Sequence, residues 1–161
     1  MAAQTRGKIL GRLLVEAKLL TEEQLQRAIE LQSKTGQELT DALVALQFVD
    51  YEEIAVAMSL YYNVPFISLK RTPVNPEAVK LIPEVMARKH VAIPVSVERD
   101  GLLVVMKDVG DVQAIDEMAA HANMRVKPAV GVTGEILNAI DINYKAIGEI
   151  EKEIRKIPSY T

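Results

Sequence analysis

The sequence predicts an α+β protein: an N-terminal helical tandem repeat over residues 1–62, then a small mixed α/β subdomain with one small sheet. Three observations carry that expectation. First, residues 9–32 and 38–61 share one apolar pattern at an offset of 29, so Leu10, Leu14, Val15 and Leu20 recur as Leu39, Leu43, Val44 and Val49. Farther along, Thr21, Leu25, Ala28 and Ile29 recur as Asp50, Ile54, Ala57 and Met58. Equivalent side chains at equivalent positions mean one supersecondary unit built twice, and two copies are too few for a solenoid. Second, the texture changes at Asn63-Val64-Pro65, after which short strand-like runs alternate with helix starts. Third, 49% of residues are hydrophobic but only 4% aromatic, with no Trp, so the core is aliphatic.

Each element follows from local pattern. Leu10, Leu13, Leu14 and Ala17 fall at i, i+3, i+4 and i+7 and so share one helical face. Thr21-Glu22-Glu23-Gln24 has the form of a capping box, worth about 1 kcal/mol. The next helix turns Leu25, Ala28 and Ile29 inward. The second copy repeats the plan with Leu39, Ala42, Leu43 and Leu46, a cap at Asp50, then Ile54, Ala57 and Met58, and Gly36 marks the break between copies.

Beyond residue 62, Pro65 to Leu69 reads as a short strand and Lys70 to Pro73 as a linker. Asn75-Pro76-Glu77 is a helix start with Pro at the first position, and Pro83 starts another helix through Val85, Met86 and Ala87. Residues 91–97 and 102–106 read as strands joined by the turn Arg99-Asp100-Gly101. Asp111 caps a helix carrying Val112, Ile115 and Met118. Residues 125–132 form a further strand, and Thr133 caps a helix through Ile136, Leu137 and Ile140. This α+β subdomain spans 63–145. Residues 146–161 form a C-terminal helix or tail, whose Ile147, Ile150 and Ile154 share a face and are expected to fold back on the domain, the alternatives being docking onto a partner or continuation into a further domain.

Composition excludes several function classes. The net charge of −3 gives no broad basic field for nucleic acid, and the scarcity of aromatics leaves no base-stacking platform. Without cysteine there is neither a thiol nucleophile nor a cysteine-ligated metal. No apolar run approaches the roughly 18 residues of a membrane span, and MAAQTRGK lacks the apolar core of a signal peptide. The expectation is a cytoplasmic protein.

Taken in order, these residues resemble the N-terminal domain of type II secretion and type IV pilus assembly ATPases. The resemblance covers roughly residues 9–145. It includes two 24-residue motifs separated by the 5-residue gap Ser33 to Gln37. Leu81-Ile82-Pro83-Glu84, followed by Ala87-Arg88-Lys89-His90 and Ile93-Pro94-Val95, is similar to the family's characteristic run. Leu102 to Asp108 and Val112 to Glu117 resemble the segment before its inner helix. The resemblance implies a docking module that engages the cytoplasmic part of an inner-membrane assembly protein, and in one branch a receptor for cyclic di-GMP.

In that branch an opening Arg in each motif, close-packing Gly residues, apolar residues beneath the bases and a terminal Gln hold the dinucleotide. Here the first motif has Ile9 for Arg, keeps Leu10, Gly11 and Gln32, and has Lys18 at a usual Gly. The second has Glu38 for Arg, keeps Leu39, and places Thr40 and Gln47 for Gly and Tyr61 for Gln. Losing one charge-assisted bond costs roughly 1.5–3 kcal/mol. A carboxylate near phosphate adds about 1 to 4 kcal/mol depending on the effective dielectric. A combined deficit of roughly 3–6 kcal/mol means binding about a hundred- to ten-thousand-fold weaker. Lys8 or Arg12 offers a shifted cation, but a Lys lacks the guanidinium fork. Cyclic di-GMP is therefore not an expected ligand, and no cofactor is expected.

Catalytic patterns are missing too. No segment matches G-x-x-x-x-G-K-[ST], the loop that wraps nucleotide phosphates. His90 and His121 lie far apart and read as solvated helix-end residues rather than a metal pair. Ser59, Ser68 and Ser96 have no nucleophile-elbow context. Glu22-Glu23 and Glu52-Glu53 sit in first helical turns, where carboxylates complement the helix dipole. Lys70-Arg71 and Arg88-Lys89-His90 read as solvated basic faces. The expected function is a non-catalytic docking or regulatory domain bound to secretion or pilus machinery at the inner membrane. The alternatives are a degenerate cyclic di-GMP sensor and the N-terminal fragment of a longer secretion ATPase.

Overall fold

A computed structural model describes residues 2–156. The chain packs as two compact units, Met1–Asn63 and Val64–Thr161. The first is wholly helical: α1 (Ala2–Glu16), α2 (Glu22–Thr35), α3 (Leu39–Ala45) and α4 (Tyr51–Tyr62). Helix α2 packs on α3 and α1 on α4. The duplicated apolar positions fill one core, in which Leu10, Leu14, Leu20 and Ala28 meet Leu39, Leu43, Val49 and Ala57.

Both helix starts expected at the repeated caps are present with the full reciprocal geometry. Gln24 N–H donates to Thr21 Oγ1 at 3.1 Å, and Thr21 N–H to Gln24 Oε1 at 3.0 Å. In the second copy Glu53 N–H donates to Asp50 Oδ1 at 2.7 Å, and Asp50 N–H to Glu53 Oε1 at 3.0 Å. Each box satisfies two backbone donors that the first helical turn leaves without partners.

The second unit contains α5 (Pro76–Val79), α6 (Glu84–His90), β1 (Ala92–Glu98), β2 (Gly101–Met106), α7 (Val112–Ala122), β3 (Val126–Val130) and α8 (Thr133–Lys156). The sheet has the order β1-β2-β3, antiparallel between β1 and β2 and parallel between β2 and β3, with α7 as the crossover. Helices α5, α6 and α8 pack on β1, and α7 packs on β3. The central strand is accordingly buried almost throughout, as a strand covered on both faces must be. The class is α+β, with one small mixed sheet.

Gly101 closes the β1–β2 hairpin at φ 153°, and a Cβ there would lie 2.6 Å from the Arg125 carbonyl oxygen. Only glycine fits. The outer strands each carry a proline at one register, since Pro94 and Pro128 both pair with Val104 of β2. Beside them, Asn75 N–H donates to the Val95 carbonyl and Ile67 N–H to the Val130 carbonyl, both at 2.9 Å.

Three expectations change. The run from Pro65 to Leu69 is not a strand but a single bridge, Phe66 to Val130. Pro65 has no N–H to extend a ladder, and Leu69 N–H donates instead to Glu135 Oε1 at 3.0 Å. The C-terminal segment does not fold back: α8 runs unbroken from Thr133 to Lys156, through position 145, because no proline interrupts it. Ile150 and Ile154 are 52% and 60% exposed.

The third change concerns the basic cluster on α6, which is engaged within the unit rather than merely solvated. Arg88 donates to Glu84 at 2.8 Å and to Asp141 of α8 at 2.7 Å. The His90 side chain is 9% exposed, with Nε2 3.0 Å from Glu117 Oε2 of α7, and Lys89 Nζ lies 3.5 Å from the same oxygen. Partial burial alone would raise the Glu117 carboxyl, but the hydrogen bond from His90 and the Lys89 charge hold it below its ordinary value. His121, in the last turn of α7, is exposed as expected.

Candidate functional site

The tandem repeat carries the motif positions singled out in the sequence, and its backbone duplicates closely. Each motif's first helix ends in the same turn. In the first, Lys18 N–H donates to the Val15 carbonyl at 3.1 Å and Leu19 N–H to Leu14 at 3.0 Å. In the second, Gln47 N–H donates to Val44 at 2.9 Å and Phe48 N–H to Leu43 at 3.1 Å. This bridging of the last helical carbonyls needs a residue in the left-handed region, and Lys18 and Gln47 both occupy it.

The residues carried over from the motif fall into distinct environments. Leu10 and Leu39 are buried at 4% and 5% exposure and belong to the shared core. The motif openings lie close together, because a Cβ on Gly7 would sit 3.8 Å from Leu39 Cδ2. Gly11 is buried where α1 crosses α2, and a Cβ there would stand 2.8 Å from Leu25 Cδ1. This is the close helix approach for which that position suits glycine.

Ile9 and Thr40 are half-buried, and Glu38 is exposed as the residue that caps α3. Gln32 is half-buried near the end of α2, where its backbone carbonyl accepts the Gly36 N–H at 2.8 Å. Tyr61, in the last turn of α4, is half-exposed, its ring edge-on to Tyr62 with centroids 4.9 Å apart. The structure thus brings Leu10, Gly11 and Leu39 into the scaffold, whereas Glu38 and Tyr61 face solvent.

The two copies diverge in the chemistry that ties helix to helix. Arg12 and Glu22 form an exposed pair at 3.6 Å in the first motif. At the equivalent positions of the second, Tyr51 donates its hydroxyl to Asp41 Oδ1 at 2.6 Å. That hydrogen bond is the first cause holding the Tyr51 phenol above its ordinary pKa, with slight burial second. Arg12, one candidate for a displaced cationic grip, pairs with Glu22 in an exposed contact that contributes little. Arg27 of α2 lies 5.4 Å from the Phe48 ring centroid and joins the first copy to the turn of the second. None of these ties was expected from pattern alone, yet the offset of 29 pairs Arg12 with Asp41 and Glu22 with Tyr51 and could have pointed to the first two.

The chain belongs to the MshEN domain family, whose profile matches residues 62–149, beyond the tandem repeat. It is homologous to the N-terminal domains of type II secretion and type IV pilus assembly ATPases. It is 32% identical over 145 residues to the type IV pilus assembly ATPase PilB of Myxococcus xanthus, covering 90% of this chain. The chain spans only 26% of that relative's length. Among solved structures, MshE with cdg (cyclic di-GMP) superimposes with a TM-score of 0.73 at 29% identity, over 84% of this chain and 98% of that one. The N-terminal domain of XpsE superimposes with a TM-score of 0.60 at 25% identity, over 86% and 94%.

Proposed function

We propose that this chain is a non-catalytic docking and regulatory domain of a bacterial type II secretion or type IV pilus assembly ATPase system. Its partner is a cytoplasmic part of the inner-membrane assembly platform, and its place is the cytoplasmic side of that membrane, reached through the partner. No described helix is long and apolar enough to cross a membrane. One observation carries the reading: the paired scaffold is kept while Ile9 and Glu38 stand at the motif openings. An aliphatic side chain cannot donate to phosphate or guanine, and a carboxylate repels phosphate. Kinship to ATPase N-terminal domains supports a role in binding rather than turnover, so a dissociation constant is the quantity to measure.

A second reading has a specific observation behind it, the likeness to MshE with cdg. In that reading Gly11, Gln32, Leu10 and Leu39 remain as parts of a dinucleotide cradle. Titration calorimetry separates the two. Docking predicts capture of the chain by the platform's purified cytoplasmic domain and no submicromolar heat signal with cyclic di-GMP. Submicromolar dinucleotide binding would overturn the preference.

A further inference from the structure

We propose that the C-terminal half of α8 is a docking seam for a partner's amphipathic helix that carries basic residues beside its apolar stripe. The inference rests on the docking reading above and gives that partner a chemistry. Ile136, Ile140, Asn143, Ile147, Ile150 and Ile154 follow one another at alternating spacings of four and three, the pattern of a coiled-coil seam. Ile136 and Ile140 are wholly buried in their own unit. Helix α8 is tied to that unit by the Asp141 pair with Arg88 and by the Tyr144 hydroxyl, which donates to the Ile82 carbonyl at 2.7 Å. Beyond them the same stripe continues in the open: Ile147 is half-buried, and Ile150 and Ile154 are more than half exposed. A seam that starts as the domain's own core and runs on uncovered fits a second helix laid along it.

What borders the stripe selects the occupant. With about 100° of rotation per residue, Glu151 and Glu153 flank the isoleucines on opposite sides, while Lys145 and Lys152 lie on the far face. Arg155 approaches Glu151 at 3.9 Å, an exposed pair that solvent screens. A second copy of this chain would set these carboxylates beside its own, a like-charge contact that disfavours pairing. An anionic lipid surface would meet carboxylates where interfacial helices place lysines. A partner helix with Lys or Arg at the flanking positions meets opposite charge on both sides.

The test uses the 161-residue chain and defined probes. One is a synthetic helix of roughly three heptads with Leu along the seam and Lys beside it. A second carries Glu in place of Lys, and a third probe is phosphatidylserine vesicles. The Lys peptide is expected to bind about tenfold more tightly than the Glu peptide. The Ile150→Glu/Ile154→Glu variant should lose that binding at unchanged helicity, and Glu151→Lys/Glu153→Lys should reverse the peptide preference. Equal binding of both peptides, binding of neither, vesicle binding, or self-association abolished by the isoleucine variant would overturn the seam. Undiminished platform capture by the isoleucine variant would also overturn it and leave docking standing. Peptide binding without any platform capture would support the seam and sink docking.

Discussion

Lys18 and Gln47 share a backbone angle, φ 62° in both, although they are different residues in different copies of the repeat. Each bridges the last carbonyls of its helix in the same way, and each stands where the family pattern has glycine. The duplicated turn holds its geometry without glycine, the residue that adopts it most easily. A side chain with a Cβ held there costs roughly 1–2 kcal/mol.

Lys18→Gly and Gln47→Gly should therefore each stabilise the first unit, by about 0.5–1 kcal/mol after allowing for glycine's freer unfolded state. The two gains should add, because the sites share no described contact. Urea unfolding followed by far-UV circular dichroism reads both the single and the double variant.

At Gly11 a larger side chain gives the opposite sign. Alanine would gain about 1 kcal/mol of helix propensity, offset by displacing the flexible end of Leu25, for a change near zero. Valine brings a second layer of atoms into the same crossing and should destabilise the first unit by about 2 kcal/mol. The same unfolding measurement distinguishes them.

Tyr144 sets the alkaline limit of the second unit. Burial first, and the Glu84 charge second, push its phenol far above its ordinary pKa of 10.0. Above pH 10 the unfolded chain releases this proton while the folded chain keeps it, so stability falls as pH rises and is intact below pH 10. Tyr144→Phe should lose about 1 kcal/mol at neutral pH, with its hydrogen bond to the Ile82 carbonyl. It should also show a shallower decline above pH 10, and thermal melts from pH 7 to 11 compare the slopes.

Restoring the grips tests the site directly. The Ile9→Arg/Glu38→Arg variant should bind cyclic di-GMP about a hundredfold more tightly than the parent chain, or more. Calorimetry on both proteins reads the ratio, and an unchanged ratio would show that these positions do not limit binding.

Much of the fold was legible in the chain because local chemistry and burial agree. Thr21 with Gln24, and the cap at Asp50, announced their helices, and the offset of 29 placed Leu10 over Leu39. What escaped depended on neighbours distant in sequence. The Phe66 segment has strand-like composition, but its backbone partners are the Val130 carbonyl and the Glu135 side chain. His90 looked like a surface residue because Glu117, its partner, lies 27 positions away on α7. Of the candidate site, identities at Ile9 and Glu38 could be read directly. The exposure of Glu38 and Tyr61, and the replacement of an ion pair by the Tyr51–Asp41 hydrogen bond, needed the helices in place.

Pro94 and Pro128 give the small sheet a property that matters wherever many copies are crowded together. Both margins withhold a donor at the same level, and the groups beside them are already occupied by Asn75 and Ile67. An incoming strand therefore finds no continuous ladder to join, which removes the commonest route by which concentrated β-proteins coalesce.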